Sequence, residues 1–164
     1  MKPKRILLVC TGNSCRSVMA HGLLQQRLKR MEGQLQEPIE VDSAGVFAIE
    51  GMSPTRETLT VLQQEGIDLS SHMARPVTQE LIRQADLIFV MEPFHLEEIL
   101  RRAPEAKDRA HLLKTYGLPD PSKVSDPGIP DPIGKPLEVY EVCFVTIREA
   151  VERLVKQLVS STTR

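Results

Sequence analysis

The segment Cys10-Thr11-Gly12-Asn13-Ser14-Cys15-Arg16-Ser17 sets a nucleophilic thiol, five residues of backbone and a guanidinium in one short stretch. Five intervening residues can curl into a nest whose N–H groups converge on one point, and a helix opening directly afterwards adds its positive N-terminal end. A tetrahedral oxyanion fits such a cradle. Arg16 can give its oxygens two parallel hydrogen bonds, and the same positive field favours the thiolate form of Cys10. Gly12 and Asn13 are types that tolerate left-handed backbone. A leaving oxygen also needs a proton, so a carboxylic acid must reach the cradle. Three Asp-Pro pairs compete for that role: Asp120-Pro121, Asp126-Pro127 and Asp131-Pro132. Nothing in this chemistry calls for a metal or another cofactor.

Such a loop needs a rigid strand in front of it and a helix behind. Ile6 to Cys10 is a continuous apolar run, as in a strand buried on both faces. Met19, Leu23, Leu24 and Leu28 follow at helical spacing, with Lys29-Arg30 at the end that the helix dipole favours. Ile39 to Val46 reads as a second strand. Ser53-Pro54-Thr55 opens a helix with Pro in its first turn, and Gly66 ends it. A short helix over Thr78 to Ala85 leads into a strand over Asp86 to Met91, followed by a helix from Pro93 to Arg102 and a last strand over Ala110 to Leu113. Six of the twelve prolines fall between Gly117 and Pro136, so that stretch is irregular loop. Leu137 to about Val159 is a long amphipathic helix whose core face includes Val139, Val142, Cys143, Val145, Ile147, Val151, Leu154, Val155 and Leu158. Strands alternating with helices predict an α/β fold: one domain over residues 1–164, with a twisted four-stranded parallel sheet covered on both faces.

Composition agrees with one globular domain. The chain has 164 residues with 41% hydrophobic and 26% charged, and this length buries roughly 70% of the surface exposed when unfolded. A net charge of −1 excludes nucleic-acid binding by bulk electrostatics, and six aromatic residues are too few for a base-stacking surface. The apolar run behind the basic Met1 to Arg5 is too short for a signal peptide, and no stretch approaches the ~18 apolar residues of a membrane helix. A cytoplasmic protein with no membrane and no nucleic-acid partner is the expectation. Its three cysteines, an odd number, are expected as reduced thiols.

Val9 to Ser17, together with Asp42-Ser43-Ala44-Gly45, Asp86 to Met91 and Asp131-Pro132, resembles the low-molecular-weight protein-tyrosine-phosphatase family across nearly the whole chain. The resemblance implies that Cys10 attacks phosphorus and forms a cysteinyl-phosphate, that Arg16 binds the phosphoryl group, and that Ser17 hydrogen-bonds the Cys10 thiolate. Thr11, Gly12, Asn13, Ser14 and Cys15 complete the binding loop. Asn13, Ser43 and His72 correspond to a supporting network, and Cys15 to a second thiol able to trap an oxidised Cys10 as a disulfide. The family's acid stands a few residues before the final helix, which favours Asp131 over its rival Asp126. The implied partner is a phosphorylated protein, with phosphotyrosine as substrate.

Three departures bear on this. Val18 replaces the usual Pro and alters only the helix entry. Ile133-Gly134 stands where tyrosine phosphatases of the family commonly carry aromatic residues. Ser14 replaces a bulky apolar residue and resembles the related protein arginine phosphatases, which makes phosphoarginine the alternative substrate. The loop also resembles thioredoxin-coupled arsenate reductases, whose relay cysteine has no counterpart between Met91 and Cys143. A non-catalytic phospho-ligand module predicts loss of the nucleophile or the acid, and both are present. Cys143, Met19 and Met91 read as core. His21, His95 and His111 have no metal-ligand spacing and read as surface.

Overall fold

The computed structural model describes residues 3–162; Met1 and Lys2 of the basic amino terminus lie outside the described residues. Four parallel strands, β1 (Arg5–Cys10), β2 (Glu40–Gly45), β3 (Leu87–Val90) and β4 (Ala110–Leu112), form one sheet in the order β2-β1-β3-β4. Helices α1 (Arg16–Arg30), α2 (Arg56–Gln64), α3 (Gln79–Gln84), α4 (Pro93–Arg102) and α5 (Leu137–Thr162) cover it.

The unbroken apolar run of β1 is explained by what lies on each side of it. Ile6, Leu8 and Cys10 face a core shared with Met19, Leu23 and Leu24 of α1 and with Ile147, Val151 and Leu154 of α5. Leu7 and Val9 face a second core with Ile82, Ile88, Val90 and Ile99. Each fully buried aliphatic side chain contributes about 1.5–3 kcal/mol relative to an exposed one, so both faces hold the strand in register. The nucleophile candidate thus ends the central strand on the α1/α5 side.

Boundaries follow local chemistry. Thr55 caps α2 by accepting a hydrogen bond from Thr58 N, so Pro54 precedes the cap instead of occupying the first turn as the sequence suggests. Thr78 caps α3 in the same manner. The proline-rich stretch holds only a short 3₁₀ turn at Pro121–Lys123. α5 corrects the expected core face. Val139, Val142 and Val145 are exposed, at 68% for Val142, because their i, i+3, i+6 spacing puts them on a ridge turned away from Cys143 and Ile147. The Arg102 guanidinium donates to the carbonyls of Val77 and Val46 and ties α4 to the segments around β2. No helix among the described residues is long and apolar enough to cross a membrane.

Candidate active site

The strand order turns over between β1 and β3, and the crevice beyond the carboxyl ends of those two strands is where an open α/β sheet binds ligands. β1 delivers the Cys10–Ser17 loop there. β3 delivers Glu92 and the start of α4. The proline-rich loop brings Ile129 and Asp131 from the opposite side.

Asn13 sets the shape of the loop. It is fully buried and takes the left-handed conformation (φ +54°) that its short polar side chain tolerates. Gly12 does not use its left-handed freedom, contrary to expectation, since positive φ occurs in this loop only at Asn13. A directed chain of hydrogen bonds fixes the rest. The backbone N–H of Arg75 donates to Asn13 Oδ1 (3.1 Å), so Asn13 Nδ2 is the donor to Ser17 Oγ (2.8 Å). With one of its two lone pairs engaged by Asn13, the Ser17 hydroxyl stands 3.0 Å from Cys10 Sγ, where it can donate to a sulfur anion. Asn13 N–H also points at Cys10 Sγ, at 3.3 Å. Two hydrogen-bonding groups thus converge on one sulfur.

His72 Nε2–H donates to the Asn13 carbonyl at 3.2 Å. The Ser43 hydroxyl meets His21 Nδ1 at 2.8 Å, and the His21 ring packs edge-on against His72 at 6.1 Å. His21 is therefore not a surface residue: burial and the nearby His72 push its pKa down to about 4, so it is neutral at neutral pH. His111 is half-buried between Phe89 and Tyr116, and it too departs from the surface reading. Cys15 Sγ is buried near Thr55 Oγ1 (3.6 Å), Tyr140 OH (3.7 Å) and Ser14 Oγ (3.8 Å). Burial pushes the Cys143 thiol up to about 12, as fits a core residue.

Gly45 explains why a residue without a side chain follows Asp42-Ser43-Ala44. A Cβ there would lie 2.4 Å from Thr11 O and 2.9 Å from Asn13 N, inside the backbone of the loop itself. Neither atom can yield without reshaping the cradle. Gly45→Ala is expected to cost about 1–3 kcal/mol in stability and to reduce phosphate affinity at least as much as it reduces Tm. Calorimetric titration with inorganic phosphate, read beside thermal melts, checks this.

Arg16 is 1% exposed and is shared among groups from three segments. Nη1 meets Glu92 Oε2 at 3.0 Å and donates to the Ile129 carbonyl at 2.7 Å. Nη2 donates to Thr11 Oγ1 at 3.3 Å and lies 3.5 Å from Asp131 Oδ2. Nε has no hydrogen-bond partner among the described residues, so this buried donor still has a bond to give. The three Asp-Pro pairs now separate. Asp120 caps the 3₁₀ turn through Ser122, and Asp126 accepts from Gly128 N in its own turn. Asp131 alone among them reaches Arg16, with its other oxygen held by Ile133 N at 3.1 Å.

Glu92 and His95 were not among the sequence candidates. His95 is fully buried, against the surface reading. Their position just past the end of β3, beside the point where strand order reverses, is the signal that could have found them. Around the loop, the rings of Phe47 and Phe94 stack at 6.3 Å with an interplanar angle of 16°, and both are exposed. Phe47 N–H donates to Thr11 O, which places this pair at the rim of the loop. Ile133 is 56% exposed. No group of three or more His, Cys, Asp or Glu side chains that could hold a metal ion occurs among the described residues.

The family described as low molecular weight phosphotyrosine protein phosphatase matches residues 5–164. A protein-arginine-phosphatase of Geobacillus stearothermophilus is 38% identical over 156 residues, covering 95% of this chain and 97% of that protein. The low molecular weight protein-tyrosine-phosphatase Etp of Escherichia coli is 30% identical over 158 residues, covering 96% and 97%. Among solved structures, the YwlE arginine phosphatase of Geobacillus stearothermophilus superposes with a TM-score of 0.84 at 37% identity, over 98% of this chain and 96% of that one. The tyrosine phosphatase Wzb of Escherichia coli, in complex with sulphate, gives 0.81 at 32% identity, over 95% and 99%.

Proposed function

This chain belongs to the low molecular weight phosphotyrosine protein phosphatase family, and from that premise we propose that it hydrolyses phosphotyrosine on protein substrates through a cysteinyl-phosphate on Cys10. The observation that carries the reading is the pair of hydrogen bonds aimed at Cys10 Sγ, from Ser17 at 3.0 Å and Asn13 N at 3.3 Å, in a loop that also holds the buried Arg16. The Wzb relative takes sulphate, a tetrahedral oxyanion of the same shape as phosphate.

In the first step a Cys10 Sγ lone pair forms the S–P bond while the P–O bond to the tyrosine oxygen breaks. Protonated Asp131 delivers its proton to that oxygen. In the second step Asp131, now a carboxylate, takes a proton from water as the water oxygen attacks phosphorus, and the S–P bond breaks to return the thiolate and inorganic phosphate. Arg16 neutralises charge on the phosphoryl oxygens, with Nε and Nη2 offering the parallel pair of donors. Thr11, Gly12, Asn13, Ser14 and Cys15 supply the cradle's backbone. Ser43 and His72 support it through His21 and Asn13.

Asp131→Asn is expected to lower kcat by roughly 10² to 10⁴, and Asp126→Asn by far less. The deficit should be largest for phenyl phosphate and smallest for p-nitrophenyl phosphate, whose leaving group departs readily without a proton. A greater deficit in Asp126→Asn would assign the acid to Asp126.

Phosphotyrosine is favoured by the Phe47–Phe94 rings, which offer an aromatic face at the rim despite Ile133. Phosphoarginine is the second reading. Ser14 favours it, as a small hydroxyl, 9% exposed, at a loop position that adjoins Gly12 and Cys15. The test is kcat/KM on matched phosphotyrosine and phosphoarginine peptides without added metal, with Cys10→Ser as blank. Phosphotyrosine is expected to be the better substrate. The reverse order would make phosphoarginine the substrate and Ser14→Ile the next variant, and no Cys10-dependent turnover on either peptide would overturn the phosphatase reading.

A further inference from the structure

His95 stands at the third position of α4 and joins two of the residues that hold Arg16. The backbone N–H of Glu92 donates to His95 Nδ1 at 3.0 Å. In the neutral ring the proton is therefore on Nε2, which faces Thr11 Oγ1 at 2.9 Å and donates to it. Thr11 Oγ1 accepts a second bond from Arg16 Nη2 (3.3 Å), and the Glu92 carboxylate pairs with Arg16 Nη1 (3.0 Å). One imidazole thus spans the gap between the first residue after β1 and the first residues after β3, and both of its partners touch the same guanidinium. Burial, followed by the charge of Arg16, pushes the pKa of His95 down to about 3, so the donor and acceptor ends keep their identities across the working range of the site.

We propose that His95 is a positioning residue for phosphoryl transfer: it clamps Thr11 to Glu92 and so presets the Arg16 guanidinium for the phosphoryl oxygens. With both its lone pairs accepting, from His95 and from Arg16, the Thr11 hydroxyl can turn only its proton to a third partner. A loop without this tie keeps Cys10 and its anion-binding backbone but loses the fixed aim of Arg16. The loss should fall on kcat, because preset donors act most strongly where charge develops in the transition state.

The inference rests on the phosphatase reading, and two variants separate it from a purely structural role. His95→Asn places an amide oxygen near the position of Nδ1, which retains the bond from Glu92 N–H and abandons Thr11. His95→Gln places an amide nitrogen near the position of Nε2, which retains the bond to Thr11 and abandons Glu92 N–H. Assayed on p-nitrophenyl phosphate, His95→Asn is expected to lose about 10- to 100-fold in kcat with little change in KM and a Tm close to wild type. His95→Gln is expected to recover most of that kcat at a lower Tm. Thr11→Val should reproduce the kcat loss, and adding His95→Asn to it should cost little more, because the two residues act as a unit. Wild-type kcat in His95→Asn, no recovery in His95→Gln, or losses that multiply in the double variant would overturn the inference alone. A wild-type enzyme without Cys10-dependent turnover would overturn the phosphatase reading beneath it.

Discussion

Replacing Cys10 by serine is expected to lower turnover by on the order of 10⁴-fold or more while leaving inorganic phosphate binding within a few-fold of wild type. The substitution is nearly isosteric at a residue 2% exposed, so the loop keeps its shape. Asn13 N–H and the Ser17 hydroxyl still have an acceptor in the new oxygen. What is lost is the proposed nucleophile. A serine hydroxyl is far harder to ionise than a thiol, and no side chain of this site that the structure places beside Cys10 can act as its base, since Ser17 and Asn13 both donate. The checks are steady-state rates on a phosphopeptide together with calorimetric phosphate titration. Turnover surviving near the wild-type rate would place the reaction on another group.

Arg16→Lys is expected to reduce kcat/KM by roughly 10³ to 10⁵, although charge is conserved. The guanidinium serves Glu92, the Ile129 carbonyl and Thr11 at once and still has Nε to give. An ammonium cannot span those directions from one nitrogen. Glu92 and Asp131 would then share a single compact cation, and the parallel donor pair proposed for the phosphoryl oxygens would be gone. The loss should fall on kcat more than on KM. Paired kinetics with Arg16→Lys and Arg16→Ala give the split, and a lysine variant within tenfold of wild type would show that net charge alone suffices.

Much of this was legible because periodicity is local. The apolar run Ile6 to Cys10, the helical spacing from Met19 to Leu28 and the Pro93 start of α4 each carry their structure in adjacent residues, and all three elements stand where the sequence puts them. The Cys10-to-Arg16 spacing is legible for the same reason. What was hidden depends on contacts across the fold. Val139, Val142 and Val145 look like core until the neighbours of α5 are known. His95 carries no local mark, because its partner Thr11 is 84 residues away. Glu92 carries no mark in its neighbours either and gains its partner only when β3 sets it against Arg16. Ser43 was placed in a supporting network by resemblance, and its hydrogen bond to His21 could not be read from spacing.

The sheet order has a consequence for how the molecule opens. Ile6 to Val9 of β1 are paired on both sides, whereas β4 has three residues and a single neighbour. Amide hydrogens of β1 should therefore exchange with solvent only through global unfolding, and those of β4 and of the loop from Gly117 to Gly128 through small local openings. Cys10 belongs to the slowest-exchanging unit and Asp131 borders the fastest. In mild denaturant the Asp131 side of the crevice should loosen first, so the proposed proton delivery should fail while the cradle still holds its anion.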